Sequence, residues 1–169
     1  PWSGPSTALP KGLNAMVSTI RRNDLSPLSR IKSLSYAEAV LARLESRSSG
    51  ADDALLCNTR GHLTGGVTSN IFAVIGGALV TPPEEDGVLA GVARRTILEE
   101  VGALKLPAAE RSVTPDDIAG AEEVFLTNVV TGVVPVVSLN GLPIGRGGIG
   151  PETERLGHLY WECVRRELL

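Results

Sequence analysis

Short apolar runs, each closed by a glycine, proline or asparagine turn, constrain this chain more than any other feature. Ala54 to Asn58, Asn70 to Ile75, Ala78 to Thr81, Val124 to Leu126 and Val133 to Leu139 are too short for helices. Apolar runs of this length between turn signals read as buried strands. Gly76-Gly77 joins two of them as a β-hairpin, and Asn140-Gly141 marks another hairpin turn. Pro82-Pro83 closes the first hairpin, Glu84 to Gly87 is a polar loop, and Thr59-Arg60-Gly61 is a tight turn into a further strand. Ala15 to Ile20 alternates weakly and reads as a strand, followed by a loop from Asn23 to Ser29 around Pro27.

Helical spacing falls between these strands. Ser35 and Glu38 have capping-box spacing, and Ala37, Val40, Leu41 and Leu44 share one stripe, which predicts a helix over 36–47 ended by Ser48-Ser49-Gly50. Leu89 to Val101 is helical with Gly102 as its stop. Thr114-Pro115-Asp116-Asp117 is a helix start: a hydroxyl cap, proline in the first turn and acids at the positive end. Glu152 to Leu169 is a terminal amphipathic helix with Leu156, Leu159, Tyr160, Cys163 and Val164 on one side. The result is a mixed α/β domain over 15–169. Residues 1–14, with Pro1, Gly4, Pro5, Pro10 and Gly12, read as a linker or extended arm. A chain of 169 residues holds one real core and not two comfortable ones.

Bulk chemistry narrows the partners. The net charge of −3 comes with no basic block, which argues against a nucleic-acid or anionic-membrane surface. Cys57 and Cys163 lie far apart without metal-ligand spacing, as expected of reduced thiols in a cytoplasmic protein, and no metal is expected. Nothing reaches the length of a membrane span.

Four words carry a family resemblance. They are Ser29-Arg30-Ile31-Lys32-Ser33-Leu34-Ser35-Tyr36, Gly61-His62-Leu63-Thr64-Gly65-Gly66-Val67-Thr68-Ser69-Asn70-Ile71-Phe72, Leu89-Ala90-Gly91-Val92-Ala93-Arg94, and Ala121 to Val136 with its Glu123-Val124-Phe125 and Pro135-Val136. Together they resemble the class IV pyridoxal-phosphate enzymes, which include branched-chain and D-amino-acid aminotransferases and aminodeoxychorismate lyase. The resemblance implies the larger C-terminal domain of that fold, a pseudo-barrel of mixed sheet flanked by helices, with the N-terminal small domain absent. It implies pyridoxal 5′-phosphate as cofactor, a small-molecule substrate and a homodimer for the full-length protein.

The resemblance also assigns roles. Lys32 would form the Schiff base. Lying between Ile31 and Leu34 it would be partly desolvated, which favours the neutral, nucleophilic amine. Tyr36, one helical turn on, would hydrogen-bond the cofactor's phenolic oxygen or pack the helix on the sheet. Gly91, Val92 and Ala93 would hold the phosphate on the backbone N–H groups of a helix start, with Ala93 lacking the family's threonine hydroxyl. Asn70 would hold a turn beneath the cofactor, and Asn128 and Val129 would be among the residues that bind it.

Asn128, Gly132, Ala93 and the Ile31-Lys32-Ser33-Leu34 word lean towards the lyase, which releases pyruvate and 4-aminobenzoate for folate synthesis. The alternatives are an aminotransferase for branched-chain or D-amino acids, and a catalytically impaired chain that keeps the fold. Gly65 stands where the family has the glutamate that pairs with the pyridine nitrogen, so low activity is expected, and Gly65→Glu is expected to raise turnover.

Overall fold

Among residues 9–168, which the computed structural model describes, the chain runs β1 (Leu13–Arg22), α1 (Ala37–Ser49), β2 (Asp53–Asn58), β3 (Leu63–Gly66), β4 (Asn70–Ile75), β5 (Ala78–Thr81), α2 (Val92–Glu100), β6 (Ala108–Glu110), α3 (Pro115–Ala119), β7 (Glu123–Asn128), β8 (Gly132–Leu139), β9 (Leu142–Pro143) and α4 (Pro151–Leu168). The strands form one mixed sheet in the order β3-β2-β1-β8-β7-β4-β5-β6, with β9 added to β8. β1 runs parallel to both β2 and β8, and β5 parallel to β6; the other pairs are antiparallel. Edge strand β3 also lies close to β4, so the sheet curls into a half-barrel. This is the mixed α/β architecture expected.

Both hairpin turns form for the reason their sequences give. Gly76 and Gly77 have φ of 59° and 73°, and Asn140 and Gly141 have 50° and 80°. A two-residue turn of this hand needs positive φ at both positions, which glycine and asparagine adopt at least cost. Asn140 then fastens the turn to β1, its Oδ1 accepting from the Val17 N–H at 2.9 Å.

Three apolar layers hold the curl. Leu55, Cys57, Leu63, Ile71, Leu126 and Val136 fill one side of the sheet. On the other, Phe72, Phe125, Ile97, Leu156, Tyr160 and Trp161 pack α2 and α4 against it. Phe72 and Phe125 stack at the centre of that layer, centroids 5.1 Å apart. Ala39 and Ala42 of α1 bury against Ala54, Leu56 and Val67.

Boundary expectations are corrected in several places. Residues 1–8 of the expected arm lie outside the described residues. Leu9, however, packs in the α2–α4 layer, and Leu13 and Asn14 already belong to β1, so 9–14 is not a free linker. The predicted start of α2 at Leu89 moves to Val92, because Gly91 is extended at φ −73°, ψ 141°.

The α1 stripe is reversed. Val40, Leu41 and Leu44 are each about half exposed, and the buried side is Ala39, Ala42 and Ser46. Small residues let the helix lie close to β1 and β2, and proximity outweighs apolar bulk there. The Ser35–Glu38 box is also absent: Tyr36 occupies the cap without a side-chain bond, and Glu38 reaches Arg22 at 3.7 Å.

The α3 start is as expected, with a complete capping box between Thr114 and Asp117. Asp117 N–H donates to Thr114 Oγ1 at 3.2 Å, and Thr114 N–H donates to Asp117 Oδ2 at 2.8 Å. Thr114→Ala is expected to cost about 1 kcal/mol, lowering Tm by about 3 °C in a calorimetric scan. An unchanged Tm would show that the cap is redundant.

Candidate functional site

Gly91 is glycine because Asn70 fills the space beside it. A Cβ there would stand 2.1 Å from Asn70 Oδ1. Asn70 opens β4 and its Nδ2 donates to the Leu89 carbonyl at 2.9 Å, pinning the Leu89–Gly91 segment to the sheet. The chain turns helical at Val92 with no side-chain cap on its first turn. The leading N–H groups of α2 are therefore open to an anion, and the helix dipole favours one.

Thr127 was not singled out by the sequence, yet it belongs to this arrangement. It pairs with Asn70 across β7 and β4, which puts both side chains on one face of the sheet. Its Oγ1 is buried without a hydrogen-bond partner among the described residues. A buried hydroxyl without a partner is costly and calls for an explanation. No motif marks it, because threonine is an ordinary strand residue.

Ala93 is buried in the layer between α2 and α4, so only its backbone faces the opening, whereas Val92 is 56% exposed. Beside Gly91 an open cleft of about 420 Å³ is lined by Ala90, Gly91, Arg94, Arg95, Glu99 and Glu110 among others. Arg94, although in the motif, faces inward: it is buried, donates to the Pro82 carbonyl at 3.0 Å and pairs with Glu110.

Asn128 serves its own turn. Its Oδ1 accepts from the Val130 and Thr131 N–H groups, both at 2.9 Å, and Val129 and Val130 project into solvent. Gly132 follows at φ 67°, and a Cβ there would lie 2.7 Å from Trp161 Cζ2. The indole of α4 thus occupies the space a side chain at 132 would need.

Lys32 is exposed, in the bend between the Pro27–Arg30 turn and α1, with no hydrogen bond or ion pair among the described residues. Ile31 and Leu34 are 53% and 92% exposed, so the expected desolvation is not provided by these neighbours. Tyr36 does not stand one helical turn from Lys32, because the helix begins only at Ala37; its side chain is 44% exposed. The structure therefore gathers Asn70, Gly91, Val92, Ala93 and Thr127, while Lys32 and Tyr36 lie on a separate exposed segment.

Gly65 requires a larger correction. Its φ is 138°, and a Cβ would stand 2.3 Å from the Ser69 carbonyl oxygen. That oxygen accepts from the Gly66 N–H at 3.0 Å, so it cannot simply withdraw. The backbone here has no room for a side chain, and Gly65→Glu is no longer expected to raise turnover.

Comparison with known proteins adds independent findings. A family profile described as amino-transferase class IV matches residues 2–139. The chain is similar to a probable branched-chain-amino-acid aminotransferase of Aquifex aeolicus, 35% identical over 161 residues, covering 94% of this chain and 52% of the relative. It is also similar to a branched-chain-amino-acid aminotransferase of Pseudomonas aeruginosa, 33% identical over 159 residues, covering 93% and 52%. Among solved structures, the Escherichia coli branched-chain amino acid aminotransferase superposes with a TM-score of 0.84 at 28% identity, covering 90% of this chain and 51% of that one. The PLP-form (holo-form) of the Thermobaculum terrenum enzyme superposes at 0.86 with 32% identity, covering 90% and 51%. The chain spans about half the length of the curated relatives it matches.

Proposed function

The chain belongs to the class IV aminotransferase family, and from that membership and the geometry around Gly91 we propose that it is the cofactor-binding part of a pyridoxal-5′-phosphate-dependent aminotransferase acting on branched-chain amino acids. The observation that carries the proposal is the cradle at α2: a glycine held flush against Asn70, uncapped N–H groups at Val92 and Ala93, and the buried Thr127 hydroxyl on the same face as Asn70. These fit the phosphate end of the cofactor. The ring-nitrogen end lacks its usual carboxylate at Gly65.

When bound, the cofactor would supply an electron-withdrawing ring that acidifies the α-hydrogen of the substrate amine. The chain's own residues divide the remaining work. Val92 and Ala93 N–H groups would hold the cofactor's phosphate, and Asn70 keeps their segment on the sheet. The Lys32 Nζ would be the amine offered to the cofactor's aldehyde, with water as the leaving group, and would carry a proton to and from the substrate α-carbon. The substrate is proposed to be an amino acid with a 2-oxo acid as acceptor. The lyase favoured by the residues at 93, 128 and 132 has no support among the relatives reported above, whose names are aminotransferases.

The exposed apolar faces of α1 and the segment before it, among them Leu34, Val40, Leu41 and Leu44, support a homodimer in the longer protein, to be tested by sedimentation. The cofactor proposal has a direct spectral test. Adding pyridoxal phosphate is expected to give an absorbance band at the edge of the visible that Lys32→Ala abolishes. A band that survives Lys32→Ala would remove Lys32 from the site. Turnover with a branched-chain amino acid and 2-oxoglutarate, against pyruvate release from aminodeoxychorismate, then separates transferase from lyase.

A further inference from the structure

Arg60 touches two stretches of chain that the proposed chemistry must keep in register. Its Nε donates to Asp24 Oδ2 at 3.2 Å, and its Nη2 donates to Asp86 Oδ1 at 2.9 Å and to the Glu85 carbonyl at 3.2 Å. Asp24 begins the segment that carries Lys32, and Asp86 begins the segment that runs through Leu89 to Gly91. Both carboxylates have side chains only 2% exposed, although the guanidinium itself is half exposed. An exposed ion pair contributes little, but a carboxylate that has been taken out of water needs its donors.

The surroundings are built to hold this arginine in place. Asn58 Oδ1 accepts from the Arg60 N–H at 3.0 Å and the His62 N–H at 2.9 Å, shaping the turn that presents the guanidinium. Asn58 Nδ2 donates to the Asp86 carbonyl at 3.1 Å, tying the same turn to the second stretch. Asp24 Oδ1 accepts from Thr59 Oγ1 at 2.6 Å and Thr59 N–H at 3.1 Å. Hydrogen bonding from the Thr59 hydroxyl, the largest influence, holds the Asp24 carboxyl below its ordinary range, so it stays ionised at neutral pH.

The two stretches also touch directly. Gly87, at φ 85°, lies so near that a Cβ would stand 3.0 Å from Asp24 Cα. On Asp86, His62 Nδ1 lies 3.2 Å from Oδ1, and Oδ2 is buried with no partner among the described residues. Among the described residues Asp24 Oδ2 has no donor but Arg60, and Asp86 Oδ1 has only His62 Nδ1 beside it. A lysine would have to serve both carboxylates from one nitrogen, without the planar fork that sets Nε on Asp24 and Nη2 on Asp86.

We propose that Arg60 is a positioning residue: its guanidinium, shared by Asp24 and Asp86, clasps the Lys32-bearing segment to the segment leading into Gly91 and so sets the separation between the amine and the helix start. What is positioned rests on the cofactor reading above; the clasp itself does not. Beyond Asp24 the segment reaches α1 through residues that are largely exposed, Leu25, Leu28, Ile31 and Leu34 among them. Its other foot is the Glu38–Arg22 contact at 3.7 Å. With few buried contacts between, the placement of Lys32 is set from these ends.

Two readouts test the clasp on the full chain. Spin labels at Lys32→Cys and Val92→Cys, with the native Cys57 and Cys163 buried, report the separation without cofactor. One narrow distance distribution is expected, broadened by Arg60→Met and by Arg60→Lys while far-UV circular dichroism stays unchanged. Should Arg60→Met fail to fold, Asp24→Asn, which keeps its shape and Thr59 contacts, substitutes for it. An unchanged distribution in a folded variant overturns the clasp. With Lys32 intact, Arg60→Met is expected to weaken the pyridoxal-phosphate band about tenfold in affinity through misplacement of the amine. The same affinity in variant and parent also overturns it. A parent chain that gives no band sinks the cofactor reading alone, and the distance measurement then decides the clasp.

Discussion

Gly65→Glu is expected to lower Tm by roughly 10 °C and to leave turnover no higher than in the parent. The argument is steric before it is electronic. At φ 138° an L side chain is strained, and its Cβ would press to 2.3 Å on the Ser69 carbonyl oxygen, which the Gly66 N–H holds in place. Backbone strain and forced movement in a buried strand together cost about 3 kcal/mol. Thermal unfolding and steady-state turnover of the same preparation check both halves. A variant that melts with the parent and turns over faster would show that β3 re-forms around the carboxylate, against the account given for Gly65.

Gly132→Glu is expected to be at least as disruptive, costing on the order of 3 kcal/mol. Here the obstacle is an indole rather than a carbonyl. Trp161 is 8% exposed in the layer between sheet and α4, and three of its ring atoms would lie within 3.0 Å of a Cβ at 132. The ring is buried in the cluster that holds Phe72, Phe125 and Tyr160, and Tyr160 lies edge-on to it at 5.0 Å. The chain has only one other tryptophan, so fluorescence serves as a local probe. A red shift accompanying a fall in Tm is expected. An unshifted spectrum with an unchanged Tm would show that the indole yields without cost.

These two positions explain what the sequence could and could not reveal. Substituting a motif residue on paper assumes room for a side chain, and at Gly65 and Gly132 the surroundings leave none. The turns at Gly76-Gly77 and Asn140-Gly141, and the box at Thr114 and Asp117, were legible because each rule acts within four residues. The α1 stripe was not, because its burial is decided by how near Ala39 and Ala42 let the helix approach β1 and β2. Lys32 and Tyr36 were related by a helical period that starts only after both. The Gly91 cradle was recognised, but Thr127 entered it through strand register with Asn70, a relation across the sheet that no local spacing contains.

The strand order also has a consequence for biosynthesis. β1 is made before β8, with which it pairs and whose first residue follows the last of β1 by more than a hundred positions. At a ribosomal rate of about 5–20 residues per second the strand waits on the order of ten seconds for that neighbour. A β1–β2 pair formed in the interval leaves one edge of β1 without its partner, a template for pairing with another nascent chain. Crowded polysomes are therefore a setting in which this topology is exposed to mispairing.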